Sequence, residues 1–437
     1  MNWYIVAINF LILLGISIFY GNKKDFQLTG GKGHFCLGLS GLTVLLSSEI
    51  LLLLYWLGSL PSILALEISM IISLPVAFYF LKPGKSACNL LSDRLRHPEN
   101  MALNSIYLVA YLFIKLTLVL LSSVFLLVNI LGWNSISTLV AVIMMVATFT
   151  IFGNFQSLVM TQLFQMIFIF ASVITLIILP SKSQLSPQSI LSPVSINIPL
   201  WKITAVGFLY GIFQWTFEQQ LFQRTSRVKS KAFIPILAIT KFMLIMSILL
   251  SPHYSSHTVQ NFIVNIGILS LLMASLANIG NSIASLVVED FYRNIKPAEN
   301  PWEGELITKI IITGVAFISV LLVLIMKNST LGLVVRFFGV WLNFSVLTII
   351  LVFFSQMKIV NLSTIIISYF VGTGIHILPL ITDNQIVNKY STCNIFDQTL
   401  RLAGITTIII FIGYLFSFIP MNNWKLHKKE FSNQQLK

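Results

Sequence analysis

Apolar residues fall along this chain in long unbroken runs, not in the spaced stripes of water-soluble helices. Such windows recur at 3–20, 35–58, 61–81, 103–131, 135–152, 155–179, 200–223, 232–250, 260–288, 306–326, 330–354, 359–380 and 400–420. Each approaches the ~20 residues that a helix needs to cross a bilayer core. The pattern predicts an all-α polytopic membrane protein with about thirteen transmembrane helices. Gaps between windows reach only about 20 residues, so one membrane domain fills 1–437 and no soluble domain of ~50 residues or more fits between spans. The gap 181–199, SKSQLSPQSILSPVSINIP, is rich in Ser and Pro and reads as an exposed connection. The first window has no basic leader and no small-residue cleavage site, so it is expected to stay in the protein.

Polar positions inside the windows are few, and each is informative. In LLMASLANIGNSIASLVV, within the ninth window, Ser275, Asn278, Asn281 and Ser282 recur every three to four residues and share one helix face. Two readings stand open: the face glues helices together through small residues and interhelical hydrogen bonds, or it lines a solute path. Glu49 stands in the second window behind Gly38, Ser40, Gly41, Ser47 and Ser48. A carboxylate there costs at least ~2.5 kcal/mol at the bilayer centre unless it meets water or a partner, so it is expected to face a cavity. Glu67, Lys115, Glu218, Lys241, Arg336 and His376 are further ionisable residues within spans. Lys115 either snorkels or pairs, and a lone helical histidine such as His376 is more often structural than a proton relay.

Composition agrees with the pattern. Hydrophobic residues make up 56% of the chain and charged residues 9%, with a mean hydropathy of +0.89. A net charge of +13 could point to nucleic acid, but the cations sit in alternate connections. Lys23, Lys24 and Lys32 follow the first span; Lys82, Lys85, Arg94 and Arg96 the third; Arg224, Arg227, Lys229 and Lys231 the seventh; Arg293 and Lys296 the ninth. The tail adds Lys425, Lys428 and Lys429. By the positive-inside rule the chain is a multi-pass cell-membrane protein with its N-terminus outside and its C-terminus in the cytoplasm, with the lipid bilayer as its surroundings and no nucleic-acid partner. Cys36, Cys88 and Cys393 show no paired or metal-binding spacing. No phosphate-cradling Gly loop, zinc-protease His pair or nucleophile elbow occurs, so no enzyme is expected.

Five segments, in order along the chain, resemble the sodium/solute symporter family, which includes the sodium/proline permeases and sodium/glucose cotransporters. They are DFQLTGGKGHFCLGLSGLTVLLSSE at 25–49, FLKPGKSACNLLSDRL at 80–95 with SIYLVAYLFIKLT after it, TFTIFGNFQSLVMTQLFQ at 148–165, FQWTFEQQLFQRTSRVKS at 213–230 and SIASLVVEDFYRNIKP at 282–297. The resemblance implies a five-plus-five inverted repeat of spans 2–6 and 7–11, with core repeats at about 35–179 and 200–354. Flanking helices would lie at 3–20, 359–380 and 400–420, before a cytoplasmic tail at 421–437. The first helix of each repeat is expected to be broken, because free backbone groups at a break can bind ions and solute.

Carried over by position, the resemblance implies sodium ligands at the carbonyls of Thr43, Leu46 and Leu271, with two adjacent hydroxyls falling on Ala274 and Ser275. Ala274 offers only a methyl, and Gln162 stands where the family usually carries an Asp linked to cation coupling. The solute pocket would draw on Glu49 in the second span, on Trp215, Glu218 and Gln219 in the seventh, and on Lys241 in the eighth. Glu218 and Lys241 are expected to come close enough to pair, either as a scaffold or in a solute or proton role. The function implied is secondary active import of a small organic solute with a cation, sodium or else a proton, by alternating access and without a cofactor. The alternative is a transporter-like facilitator, sensor or assembly partner with weakened sodium coupling.

Overall fold

The computed structural model describes residues 3–21, 31–57, 59–81, 87–95, 101–129, 135–178, 198–225, 233–250, 258–292, 301–325, 331–356, 365, 367–370 and 395–417. Among them the regular structure is helical throughout. The helices are α1 (Trp3–Gly21), α2 (Gly31–Leu45), α3 (Ser48–Leu57), α4 (Leu60–Ile72), α5 (Leu74–Phe80), α6 (Ala87–Leu95), α7 (Met101–Asn129), α8 (Ser135–Phe152) and α9 (Phe155–Ile178). After these come α10 (Leu200–Thr216), α11 (Gln219–Thr225), α12 (Phe233–Leu250), α13 (Thr258–Ser285), α14 (Pro301–Ile325), α15 (Leu331–Gln356) and α16 (Ile395–Ser417). A π-helical turn, Leu286–Tyr292, continues α13. Seven helical stretches among the described residues are long and apolar enough to cross a membrane. Most of the window 359–380, including His376, lies outside the described residues, as does the side chain of Arg336.

Among the described residues, three of the apolar windows are interrupted. The third bends at Ser73, where Pro75 opens α5 without an N–H to give, while Ser59 caps the start of α4 by accepting the Ser62 N–H at 3.3 Å. The second stops at Leu46 and Ser47 between α2 and α3, and the seventh at Phe217 and Glu218 between α10 and α11. Both of the latter breaks are followed by a short helix that starts on a carboxylate. Glu49 lies in the first turn of α3, and Glu218 directly precedes α11. Negative charge is favoured at a helix N-terminus, where backbone N–H groups lack partners inside the helix.

Helices approach closely where side chains are smallest. α10 lies along α4 with Gly207 facing Ser69 and Gly211 facing Ser73. A Cβ on Gly211 would stand 2.8 Å from the Met70 Cα, inside van der Waals contact. This is how membrane helices gain contact without a hydrophobic drive between them. Across the same seam the Trp215 indole N–H donates to the Met70 carbonyl at 3.0 Å. α13 lies along α9, where Gly267 meets Ser172, whose hydroxyl donates to the Ile263 carbonyl at 2.8 Å.

The span Ile263–Asp290 is 78% buried within the protein and Phe337–Gln356 83%, against 22% for Glu303–Ile325. The first two are therefore inner helices, and the third presents Phe317 and Ile325 outward, as a lipid-facing helix does. α6, which the hydrophobic windows do not reveal, docks through Arg94: its guanidinium donates to the Tyr79 and Phe80 carbonyls at 2.8 Å and closes the C-terminal end of α5.

Candidate functional site

The two breaks are joined by one lysine. Lys115, on α7 and fully buried, holds its Nζ 3.4 Å from Glu49 Oε1, 3.2 Å from Glu218 Oε1 and 3.1 Å from Gln220 Oε1. The second oxygen of Glu218 accepts the Tyr111 hydroxyl at 2.5 Å, and that hydroxyl in turn accepts the Trp341 indole N–H at 2.8 Å. The Lys115 ammonium also lies over the Trp341 ring, 5.9 Å from its centre. Tyr111 and Lys115 sit one turn apart on α7, so a single helix face serves both halves of the interrupted seventh span.

The expected pairing of Glu218 with Lys241 does not form. Lys241, on α12, faces α4 and bonds Glu67 at 3.0 Å, with Met70 Sδ 3.8 Å away. Glu218 is turned toward α7 instead. Of the expected pocket residues, Glu49, Glu218 and Gln219 thus gather at the breaks, whereas Trp215 and Lys241 lie toward α4. Glu49, Trp215, Glu218, Gln219 and Lys241 are all at most 5% exposed.

Of the residues expected to hold sodium, Leu46 lies in the first break and Ser275 reaches the Ser48 N–H at its far side. Ser275, on α13, accepts the Ser48 N–H at 3.2 Å and donates to the Leu271 carbonyl at 2.9 Å. It thereby caps the N-terminus of α3 from a neighbouring helix. Thr43 donates to the Ser40 carbonyl at 2.7 Å and accepts the Asn278 side-chain N–H at 3.2 Å. Leu46 lies in the break itself, its N–H donating to the Leu42 carbonyl at 2.9 Å. Ala274 is wholly buried beside Ser275.

One turn further along α11 and α13, Arg224 gathers four helices. Its Nε donates to the Ser40 hydroxyl at 3.0 Å and its second terminal nitrogen to Gln162 Oε1 at 2.7 Å and to Asn278 Oδ1. The other terminal nitrogen donates to the Gln220 carbonyl. Gln162 itself donates to Asn278 Oδ1 at 2.5 Å. On the polar face of α13, Asn278 thus contacts α2, α9 and α11, and Asn281 adds a bond to Gln223 of α11 at 3.3 Å. The sequence flags Asn278 and Gln162 but reads Arg224 as a loop cation. Its signal was the position of an arginine only five residues after the buried-break motif FEQ.

Comparison with known proteins follows the same lines. The sodium:solute symporter family model matches residues 12–192. This segment carries Glu49, Lys115 and Gln162, while Glu218, Lys241 and Ser275 lie beyond it. No curated protein matches the sequence. Among solved structures, the substrate-bound, outward-open state of a Na+-coupled sialic acid symporter matches with a TM-score of 0.64 at 16% identity. The match covers 95% of this chain and 98% of that one, so the two share a fold. Three of the five motif segments, at 25–49, 80–95 and 148–165, lie within the matched residues, and those at 213–230 and 282–297 lie beyond them.

Proposed function

We propose that this chain, which resembles the sodium:solute symporters, is a secondary transporter importing a small organic solute together with a cation by alternating access. The observation that carries the reading is the meeting of two helix breaks, each with a buried carboxylate, on the Lys115 ammonium. Breaks free backbone groups for ligands and give hinges about which half-helices can tilt. The proposed architecture is a single domain of thirteen spans in a five-plus-five inverted repeat, with the N-terminus outside and the C-terminus in the cytoplasm. Glu49, Glu218 and Gln219 are proposed to meet the solute directly, with Trp215 and Lys241 on its α4 side.

Sodium is the proposed coupling ion, held by the oxygens of Thr43, Leu46, Leu271 and Ser275. Both hydroxyls in this set already donate and accept hydrogen bonds, and Ala274 adds no oxygen. A hard cation stripped of water needs several oxygen ligands. Sodium is therefore held weakly, and transport should respond to it only at high concentration. Ala274→Ser supplies a further hydroxyl and should lower the sodium concentration for half-maximal uptake by roughly tenfold, the equivalent of ~1.4 kcal/mol. Counterflow of a labelled solute panel into proteoliposomes, with sodium titrated against potassium, measures both effects. Steep sodium dependence in the unaltered protein, unchanged by Ala274→Ser, would contradict the assignment. Gln162 in place of a carboxylate supports the second reading, a facilitator whose flux ignores the sodium gradient altogether.

A further inference from the structure

Resting on the sodium reading, we infer that Gln165 of α9 is a further oxygen ligand of the cation site, reaching in from a third helix beside α2 and α13. The first support is the state of its amide. Gln165 is fully buried, and neither its Oε1 nor its Nε2 has a hydrogen-bond partner among the described residues. One turn away on the same helix, Gln162 spends both ends of its amide on Asn278 and Arg224. An amide taken out of water without partners is unfavourable, so one kept there calls for a ligand.

The second support is register, which is fixed from two sides. α9 and α13 pack in opposite directions, with Gln162 meeting Asn278 and Ser172 meeting Ile263 and Gly267. At about 100° per residue, Gln165 points between the directions of Gln162 and Ser172 and so faces α13. Three residues on from Gln162, it comes level with the turn of α13 that carries Ala274 and Ser275. α2 packs along α9 in the same direction, with Leu37 on Val159 and with Ser40 and Gln162 joined by the Arg224 guanidinium. Three residues further along both helices, Thr43 stands level with Gln165. Thr43, Ser275 and Gln165 therefore share one level on three packed helices, at the place where the Ala274 methyl leaves the set short of an oxygen. Amide carbonyls are ligands that hard cations accept. Being neutral, this one adds an oxygen without adding charge, which agrees with a site that needs high sodium.

The test is thermal unfolding of the full chain in nanodiscs, with sodium chloride exchanged for N-methylglucamine chloride at constant ionic strength. Sodium should raise the melting temperature of the parent saturably. In Gln165→Leu the half-saturating sodium concentration should rise roughly tenfold or more, the scale of one lost contact to a charged group. In N-methylglucamine the same variant should melt no lower than the parent, because the amide it removes has no hydrogen bond among the described residues to lose. That second readout separates a ligand from a structural amide. Gln165→Glu keeps the oxygen and adds charge, so it should melt lower than the parent in N-methylglucamine and need less sodium for half-saturation. The inference is overturned if Gln165→Leu responds to sodium as the parent does, if it melts lower or fails to fold without sodium, or if Gln165→Glu leaves the sodium dependence unchanged. The first of these outcomes would assign the Gln165 amide to water and leave the sodium reading intact, whereas a parent indifferent to sodium would remove that reading and this inference together.

Discussion

Lys115→Met should abolish transport and remove most of the folded protein from the membrane. The substitution keeps length and apolar stem but strands two carboxylates between helix breaks, with Glu49 and Glu218 each losing the ammonium at 3.4 and 3.2 Å. Removing one partner of a buried ion pair costs ~3–5 kcal/mol, because the remaining charge stays out of water. Adding Glu49→Gln and Glu218→Gln takes away the stranded charges. The triple variant should therefore return to near-parental yield on detergent size-exclusion chromatography while staying inactive in counterflow. Recovery of transport in the triple variant would reduce the cluster to scaffold.

A comparable loss is expected from Arg224→Lys, a change often thought mild. The guanidinium reaches the Ser40 hydroxyl, Gln162, Asn278 and the Gln220 carbonyl at once, because its five N–H groups are fixed in a plane. A lysine ammonium is a point charge with three donors and cannot span α2, α9 and α13 together. The acceptors it abandons are buried, and each costs ~1–3 kcal/mol when left unbonded. A sharp fall in melting temperature and in folded yield is expected. Parental stability in Arg224→Lys would mean that these helices are held by other contacts.

Much of the architecture was legible because lipid permits only one solution for most of the chain. Long apolar runs must become helices, so the windows at 135–152 and 155–179 coincide with α8 and α9. The interruptions at Leu46–Ser47 and Phe217–Glu218 fall in the spans that the family resemblance implies are broken, whereas a carboxylate alone does not dictate a break, since Glu67 lies within α4. α6 was not legible, being short and mixed in polarity, and neither was the π-helical turn after Ser285. Glu49, Glu218 and Gln219 lie at the breaks, but the bonds that the buried charges make were not legible. Glu218 and Lys241 belong to spans near each other in sequence, but an ion pair in a bundle is set by which helix faces meet. Lys241 faces α4 and finds Glu67, while Lys115, on the face that also carries Tyr111, finds Glu218. The family resemblance names residues that gather in a region and is silent on this choice. Arg224 escaped for a related reason: with Arg227 and Lys229 close behind it, it reads as part of a cationic loop, whereas only 1% of its surface is exposed.

The central claim is that the helix breaks around Lys115 open alternately to the two sides of the membrane. Side-specific labelling tests it most directly, using Ser47→Cys in a chain whose Cys36, Cys88 and Cys393 are replaced by Ser. A membrane-impermeant methanethiosulfonate reagent is applied to the outside of right-side-out vesicles or of inside-out vesicles. Ser47 is buried at the first break, so the engineered thiol should react slowly but measurably from both sides, and transported solute should change the two rates in the same preparation. Reaction from one side alone under every condition, or from neither, would contradict the claim.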